Sequence, residues 1–360
     1  MEKKKVFLTL ENGVVFEGYA FGAAGNVSGE LVFSTGMVGY IETLTDPSNY
    51  GQIVVQTFPL IGNYGMMKTD VESNKAWVSA YVVREICETP SNFRMEGDLD
   101  SYLKEQGVVG IYGVDTRQIT KILREEGAMN ARVSEKPLNT DELKELGAYS
   151  IKNAVSAVSS NEKGFYQAED AKYTVAVWDF GVKHSTINNL LARGCNVITL
   201  PSTATAEEVL ATGAHGVILS DGPGNPKDNA KIIDEIKKLI GKKPVWGIGL
   251  GHQMMALALG ADTQKSKYGH RGSNQPVRCV KCEKVYISTQ NHGYDIKPDT
   301  IKQGKIQFMN VNDGSCEGIF YDELNAFSVQ FAPESCDIGA PENPLYKKFF
   351  AMMEKENENA

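Results

Sequence analysis

Apolar and polar residues alternate along much of the first third of the chain, a pattern typical of half-buried β-strands. The pair Asn12-Gly13 separates two such runs, and Asn-Gly between alternating runs is a strong hairpin signal. Asp115 stands where a helix cap is expected, and Gly127 where that helix should end. We predict strands at 6–10, 14–16, 30–33 and 52–56 and helices at 99–105 and 116–126. This part therefore predicts a β-rich α+β domain.

From Tyr173 onward, short continuous apolar runs alternate with helix-like segments. We predict strands at 174–178, 196–200, 216–220 and 244–248, and helices at 205–211, 230–239 and 252–259. Buried strands alternating with helices indicate an α/β domain with a mostly parallel sheet flanked by helices. In such sheets ligands bind beyond the carboxyl ends of the strands, which directs attention to the loops after Ser220 and Ile248.

The stretch between these two patterns is polar and charged, with one short helical pattern at 140–146. We therefore divide the chain into an N-terminal domain (residues 1–150), a linker (151–172) and a C-terminal domain (173–360).

Composition and charge narrow the class of protein. The net charge is −8, whereas a nucleic-acid-binding surface is expected to be basic, so we predict no nucleic-acid partner. No apolar run reaches the ~18 residues of a membrane span, and the N-terminus lacks the apolar region of a signal peptide. Six cysteines without a dense framework are typical of a reducing compartment. These features predict a cytoplasmic protein.

Two glycine-containing loops follow predicted strands. The loop at 220–226 contains Gly222 and Gly224, which let backbone N–H groups approach a ligand, although a plain Gly/Pro turn has the same composition. The segment 247–253 reads G-x-G-x-G-H-Q and departs from the phosphate-binding G-x-G-x-x-G. It has the frame of a nucleophile elbow, G-x-nucleophile-x-G, but its centre is Gly249. The frame therefore lacks a nucleophile.

The remaining candidates for chemistry are weaker. Cys279 and Cys282 form a C-x-x-C pair, but a zinc site needs further ligands at similar spacing and a redox pair is expected at a helix start. We predict two incidental thiols on a strand. The histidines show no H-x-x-x-H spacing, and we predict no metal site.

Several motifs together resemble the small subunit of carbamoyl-phosphate synthase, a family with a class I glutamine amidotransferase domain. They are the segments 35–40, 44–48, 219–226, 247–253, 268–272 and 290–294, and the resemblance runs from about Leu8 to Phe350. It implies a subunit that hydrolyses glutamine and passes ammonia to a large, ATP-using subunit as a heterodimer, for pyrimidine or arginine biosynthesis. ATP and magnesium would belong to the large subunit, so no cofactor is expected in this chain.

The family's glutaminase uses a Cys–His–Glu triad. Carried over by resemblance, the nucleophile falls on Gly249, the base on Ala332 and the orienting carboxylate on Glu334. Two of the three catalytic side chains are therefore absent, and losing a nucleophile or base costs on the order of 10⁶-fold in kcat. His252 and Cys336 are near in sequence, but neither lies in the elbow. We predict that glutamine hydrolysis is lost.

The family's glutamine pocket, in contrast, is matched throughout. By resemblance its residues are Ser48, Gly222, Gly224, Leu250, Gln253, Asn291, Gly293 and Tyr294. Backbone donors for the oxyanion are expected near Gly224 and Leu250. Two interpretations stay open: the pocket still binds L-glutamine, or these residues only shape the fold.

Three functional hypotheses follow. The first is a carbamoyl-phosphate synthase small subunit without glutaminase activity, partnered by a large subunit that uses free ammonia, or acting as its structural and regulatory partner. The second is an active glutaminase subunit in which residues 249 and 332 have been artificially substituted. The third is a glutamine-binding sensor without a synthetase partner.

Overall fold

The computed structural model describes residues 4–335 and 343–359. It separates into two compact units, Met1–Lys152 and Asn153–Ala360, each with its own hydrophobic core. Among the described helices, none has the length and apolar character needed to cross a membrane.

The first unit contains a closed β-barrel. The unit has strands β1 (Lys5–Leu10), β2 (Val15–Gly22), β3 (Val27–Ser34), β4 (Gln52–Gln56), β5 (Leu60–Ile61), β6 (Ala80–Val83), β7 (Glu85–Ile86), β8 (Val109–Tyr112) and β9 (Met129–Ser134), of which β5 and β7 form a separate parallel pair outside the barrel. Its helices are α1 (Tyr40–Thr45), α2 (Leu99–Glu105), α3 (Thr116–Glu126) and α4 (Thr140–Gly147). The barrel order is β1-β2-β8-β6-β4-β3-β9, and antiparallel pairing of β9 with β1 closes it.

Strand β6 shows how this barrel fills space on both sides. Ala80 and Val82 belong to one buried cluster, whereas Tyr81 and Val83 belong to another that includes residues of α1 and α2. Because side chains alternate across a strand, a fully apolar strand must bury both of its faces.

The second unit is a mixed sheet with helices on both faces. Its strands are β10 (Gly164–Tyr166), β11 (Tyr173–Trp178), β12 (Cys195–Leu200), β13 (Gly216–Leu219), β14 (Val245–Ile248), β15 (Thr263–Cys279), β16 (Val285–Ile296), β17 (Lys305–Asn310), β18 (Cys316–Tyr321) and β19 (Ala326–Val329). Its helices are α5 (Ala154–Val158), α6 (His184–Leu191), α7 (Ala206–Leu210), α8 (Ala230–Leu239), α9 (Leu250–Ala258) and α10 (Pro344–Asn359).

The sheet order is β10-β12-β11-β13-β14-β19-β18-β17-β15-β16. The run from β12 to β19 is parallel, and antiparallel strands extend it on both sides. On β11, Ala176 and Trp178 join a cluster with α7, α8 and α9, whereas Val175 and Val177 join a cluster with α6 and α10. The predicted fold class, a β-rich domain followed by an α/β domain whose sheet is flanked by helices, is confirmed.

Two regions differ in detail from the sequence expectation. Part of the stretch predicted as a linker is ordered in the second unit, because Gly164–Tyr166 pairs antiparallel with β12 and forms the edge strand β10. The prediction of two incidental thiols is wrong: Cys279 and Cys282 form a disulfide at the end of the β15–β16 hairpin. Glu283 has a φ of 56° there, and the tight turn leaves the two Cα atoms 5.6 Å apart, within disulfide range.

Candidate active site

Gly249 forms a sharp turn between β14 and helix α9. Its φ is 54° and its ψ is −113°, a conformation that glycine adopts far more readily than residues with a Cβ. Its N–H donates to the Val329 carbonyl at 2.9 Å, and its own carbonyl accepts from the Gln253 N–H at 3.2 Å. The turn therefore retains the strand-to-helix geometry of a nucleophile elbow, with no side chain at its centre.

The loop after β13 lies against this turn. The Ser220 hydroxyl accepts from the Phe180 N–H and donates to the Asp221 carbonyl, both at 2.8 Å, which anchors the start of the loop. A Cβ on Gly222 would overlap the Phe180 carbonyl oxygen, so only glycine fits there. Gly224 has a φ of 87°, again suited to glycine. The absence of a side chain at Gly222 thus lets the backbone of this loop pack closely against the backbone of Phe180.

The half-buried side chain of Asp221 lies against Gly249 at the elbow. Its Oδ1 accepts from the Gly222 N–H at 2.8 Å and from the Leu250 N–H at 3.0 Å. A Cβ on Gly249 would overlap Oδ1 and Cγ of Asp221 and lie 2.8 Å from Oδ2. The carboxylate therefore occupies the space into which an elbow side chain would begin. The sequence pattern drew attention to the glycines of this loop, and the acidic side chain that precedes them was missed.

Two amide donors that converge on one oxygen at 2.7–3.1 Å have the geometry of an oxyanion hole. Here the donors are the N–H groups of Gly222 and Leu250, and the oxygen is Asp221 Oδ1. The N–H group that accompanies Leu250 at this oxygen is that of Gly222, and an oxyanion donor near Gly224 stays a prediction.

Ala332 and Glu334 follow β19 at the same end of the sheet. Ala332 is buried and pairs with Thr289, to whose carbonyl it donates at 3.0 Å. The side chain of Glu334 is 2% exposed; its Oε1 lies 3.5 Å from Lys183 Nζ and accepts from Thr186 Oγ1 at 2.7 Å. Among the described residues, Oε2 of Glu334 has no hydrogen-bond partner. One carboxylate oxygen is therefore left for a further donor.

The charge state of Glu334 follows from these neighbours. Burial alone would raise the pKa of this carboxyl, but the charge of Lys183 and the hydrogen bond from Thr186 outweigh it and lower the pKa. Glu334 is therefore a carboxylate at neutral pH, and Lys183 on the turn before α6 compensates its charge.

The described cysteines of the second unit do not supply a thiolate to this site. Burial raises the pKa of the Cys195 thiol to about 11 and that of the Cys316 thiol to about 12. Cys279 and Cys282 are joined to each other. Cys336, one of the two residues considered for rescue, lies outside the described residues.

The other residue considered for rescue, His252, is fully buried on α9. Its Nδ1 lies 2.7 Å from the Ser328 hydroxyl, and its Nε2 has no hydrogen-bond partner among the described residues. Burial lowers the pKa of His252 to about 3. The imidazole is thus a neutral group of the core beneath the elbow.

The predicted glutamine-pocket residues fall in both units. Ser48 belongs to the first unit, where its hydroxyl donates to Asp46 Oδ1 at 2.6 Å. In the second unit, the Gln253 amide nitrogen donates to the Tyr294 carbonyl at 2.7 Å and to Gln330 Oε1 at 2.9 Å. These bonds tie α9 to β16 and to the chain after β19.

Asn291 and Gly293 lie on β16 beside Tyr294. Asn291 is paired across the hairpin with Arg271, and a Cβ on Gly293 would lie 3.3 Å from the Arg271 guanidinium. Within the second unit, a hydrogen bond from Gln253 therefore links the elbow helix to the strand that carries Asn291, Gly293 and Tyr294. Leu250 begins that helix, and Asp221 joins it to Gly222.

A buried histidine pair on the β15–β16 hairpin was not found from the sequence. His270 and His292 are cross-strand partners, and Nδ1 of the first lies 3.2 Å from Nε2 of the second. The outer nitrogens point to acceptors: His270 Nε2 to Asp313 Oδ2 and His292 Nδ1 to the Tyr294 carbonyl, both at 2.9 Å. His292 Nε2 also lies 2.9 Å from Gln290 Oε1, so both rings belong to one buried hydrogen-bond network.

Glu317 on β18 completes this His–Glu cluster of His270, His292 and Glu317. It is fully buried, and burial raises its pKa. The three residues offer ligand atoms within 4.8 Å of one another, an arrangement that could hold a metal ion, whereas the sequence analysis expected no metal site. The carboxylate already accepts from Gln290 and Asn310, each at 3.0 Å, and a hydrogen-bonded proton network accounts for the contacts.

Comparison with known proteins agrees with this geometry. Residues 176–352 match the model of the class-I glutamine amidotransferase family, a range that includes strands β12 to β19, the elbow and the loop after β13. Residues 8–133 match the model described as carbamoyl-phosphate synthase small chain, CPSase domain. The second unit is thus of the class-I glutamine amidotransferase type.

Relatives match along nearly the whole chain. The carbamoyl phosphate synthase small chain of Clostridium perfringens is 49% identical over 335 residues, covering 92% of this chain and 95% of the relative. The pyrimidine-specific small chain of Bacillus subtilis is 43% identical, covering 96% and 95%. A solved glutamine amidotransferase from Thermotoga maritima is 20% identical, with a TM-score of 0.37, over 52% of this chain and 84% of the other. The chain belongs to the carbamoyl phosphate synthase small chain family.

Proposed function

We propose that this chain is a carbamoyl phosphate synthase small subunit that has lost glutamine hydrolysis. It acts with an ATP-using large subunit that takes free ammonia, and it serves that subunit as a structural and regulatory partner. Family membership supports the partner, and the chemistry of the site supports the loss.

One observation carries the loss of hydrolysis. Gly249 has no Cβ, and in the described residues the Asp221 carboxylate lies where a cysteine side chain at position 249 would begin. Hydrolysis by this class of site needs an activated thiol and an imidazole to move its proton. Ala332 supplies no imidazole, and the neutral His252 ring is held in the core by Ser328.

L-Glutamine remains the proposed ligand of the pocket. Its support is the retained set of loop glycines, the intact elbow turn and the hydrogen bonds that hold Gln253 and Tyr294 in place. A bound but unhydrolysed glutamine would report the nitrogen supply to the large subunit without consuming it.

Ammonia release from L-glutamine by the isolated chain tests the loss of hydrolysis. We expect no release above the uncatalysed background at saturating glutamine. Because ordinary enzymes turn over at about 1–10³ per second, a rate of one per second or more would contradict the proposal. Thermal unfolding with and without glutamine, run in parallel, separates binding from turnover.

A further inference from the structure

The ligand atoms of the His–Glu cluster lie at the spacing of metal ligands. His270 Nδ1 is 3.2 Å from His292 Nε2 and 3.5 Å from Glu317 Oε1. In a tetrahedral zinc site with bonds of about 2.0–2.1 Å, neighbouring ligand atoms lie about 3.3 Å apart. Around an octahedral ion with the same bond length, that distance is about 2.9 Å. The cluster therefore fits tetrahedral coordination better than octahedral coordination.

The outer nitrogens of the two rings are held as they are in metal sites. Metal-binding histidines usually donate their second N–H to a carboxylate or a backbone carbonyl, which fixes the tautomer and the ring orientation. His270 Nε2 lies 2.9 Å from Asp313 Oδ2, and His292 Nδ1 lies 2.9 Å from the Tyr294 carbonyl. With a proton on each outer nitrogen, both rings direct a lone pair to the inner side of the cluster.

The inner nitrogen of His292 also faces an amide oxygen. Gln290 donates its NH2 to Glu317 Oε2 at 3.0 Å, so its Oε1 is the atom 2.9 Å from His292 Nε2. A neutral imidazole has one N–H and cannot donate to this oxygen and to the Tyr294 carbonyl together. Either His292 carries a second proton, or a metal ion replaces that proton and binds both atoms.

The carboxylate of the cluster is buried and oriented by its neighbours. The side chain of Glu317 is 0% exposed, and its Oε1 accepts from Asn310 at 3.0 Å. Buried carboxylates are stabilised by a cationic partner or a metal ion, and metal-binding carboxylates are themselves hydrogen-bonded. The side chain of Asp313, beside His270, is 49% exposed, which gives an ion a route from solvent.

We propose that His270, His292 and Glu317 bind a structural zinc ion, with Gln290 Oε1 placed as the fourth ligand. The ion would join β15, β16 and β18 at one point and release the second proton of His292 on binding. The proposal goes beyond the proposed function and does not depend on it, because the cluster contains none of the residues of the elbow.

Two isosteric variants test the site at different depths. Glu317→Gln removes the anionic ligand itself. Asp313→Asn leaves the three ligands in place and weakens only the acceptor that orients His270, at a position where a change of fold is not expected. Asp299→Asn is the matched control, because it removes the same charge from an exposed position of the same unit.

The experiment is titration of the chelator-treated full chain with zinc chloride, followed by calorimetry and by thermal unfolding. Omitting reductant keeps Cys279 and Cys282 joined, so that they supply no thiolate. We expect one zinc per chain in wild type and a higher Tm with zinc. Affinity should fall about 10–100-fold in Asp313→Asn and stay within twofold in Asp299→Asn. Zinc should not raise the Tm of Glu317→Gln.

Cobalt(II) in place of zinc reports the geometry, because tetrahedral coordination gives strong visible absorption and octahedral coordination weak absorption. We expect the strong spectrum in wild type and its loss in Glu317→Gln. Circular dichroism verifies that each variant is folded, and if Glu317→Gln is not, the pair Asp313→Asn and Asp299→Asn decides.

No saturable zinc binding by wild type would overturn the proposal and leave a doubly protonated His292 as the explanation of the contacts. A weak, octahedral cobalt spectrum would also overturn it, as would equal affinity in wild type and a folded Glu317→Gln protein. The same holds if Asp313→Asn loses no more affinity than Asp299→Asn. None of these results depends on glutamine, so they are separate from failure of the proposed function.

Discussion

Replacing Gly249 by cysteine forces a collision that can be measured as lost stability. The new Cβ would overlap Oδ1 and Cγ of Asp221, so the carboxylate must move and release the Gly222 and Leu250 N–H groups. Hydrogen bonds to a charged group contribute about 1.5–3 kcal/mol each, and the lower value suits a half-buried carboxylate that regains water. Losing both costs about 3 kcal/mol.

Backbone strain adds to this loss. A residue with a Cβ in a sparsely populated conformation costs about 1–3 kcal/mol, and the reduced freedom of the unfolded chain offsets about 0.4–1 kcal/mol. We expect Gly249→Cys to lower the free energy of unfolding by about 4 kcal/mol. In an Asp221→Ala background the collision is gone, and the same change should cost only about 1 kcal/mol.

Chemical denaturation of wild type, both single variants and the double variant gives the coupling between the two sites. Gly213→Cys is the matched control, because Gly213 has a φ of 68° and no described atom lies within 4 Å of the position of its Cβ. The reasoning is refuted if Gly249→Cys costs no more than Gly213→Cys, or if the coupling energy is below about 0.5 kcal/mol.

Three further outcomes are expected. The triple variant Gly249→Cys, Ala332→His, Asp221→Asn should release ammonia from glutamine, whereas no turnover would show that more than these side chains is missing. His252 has a folded-state pKa of about 3, below the ordinary 6.5, so as the pH falls the unfolded chain binds this proton before the folded chain does. The free energy of unfolding should therefore fall by about 1.4 kcal/mol per pH unit below pH 6.5, and denaturation at several pH values should show that His252→Asn removes this slope. Lys183→Met should destabilise by about 3 kcal/mol by leaving a buried carboxylate unpaired, and a loss below 1 kcal/mol in urea titration would contradict that pairing.

Local patterns were sufficient to predict most of the secondary structure. Strand β4 and helices α2, α3 and α8 begin and end at the predicted residues, and the Asp115 side chain caps α3 by accepting from the Gln118 N–H at 3.0 Å. These elements depend on periodicity and capping within one segment. The parallel strands were equally clear, because a strand buried on both faces is apolar at every position, as in 175–178.

Contacts between distant segments were beyond such reasoning. The edge strand β10 lies in a polar stretch, and only its pairing with β12 makes it a strand. Glu317 is 47 residues from His270 in sequence, and the two side chains meet because their strands lie close together in the order β18-β17-β15-β16. The role of Asp221 depends on the missing Cβ of Gly249, 28 residues later. The pattern of apolar and polar residues does not show that one side chain fills the space left by a missing side chain elsewhere in the chain.

The most direct test of the central claim is carbamoyl phosphate synthesis by this chain reconstituted with its large subunit, measured with ATP, bicarbonate and either ammonium chloride or L-glutamine. The account predicts synthesis from ammonium and none above background from glutamine, because the elbow holds Asp221 and Gly249 in place of a thiol. Synthesis from glutamine at a rate comparable to that from ammonium would contradict it.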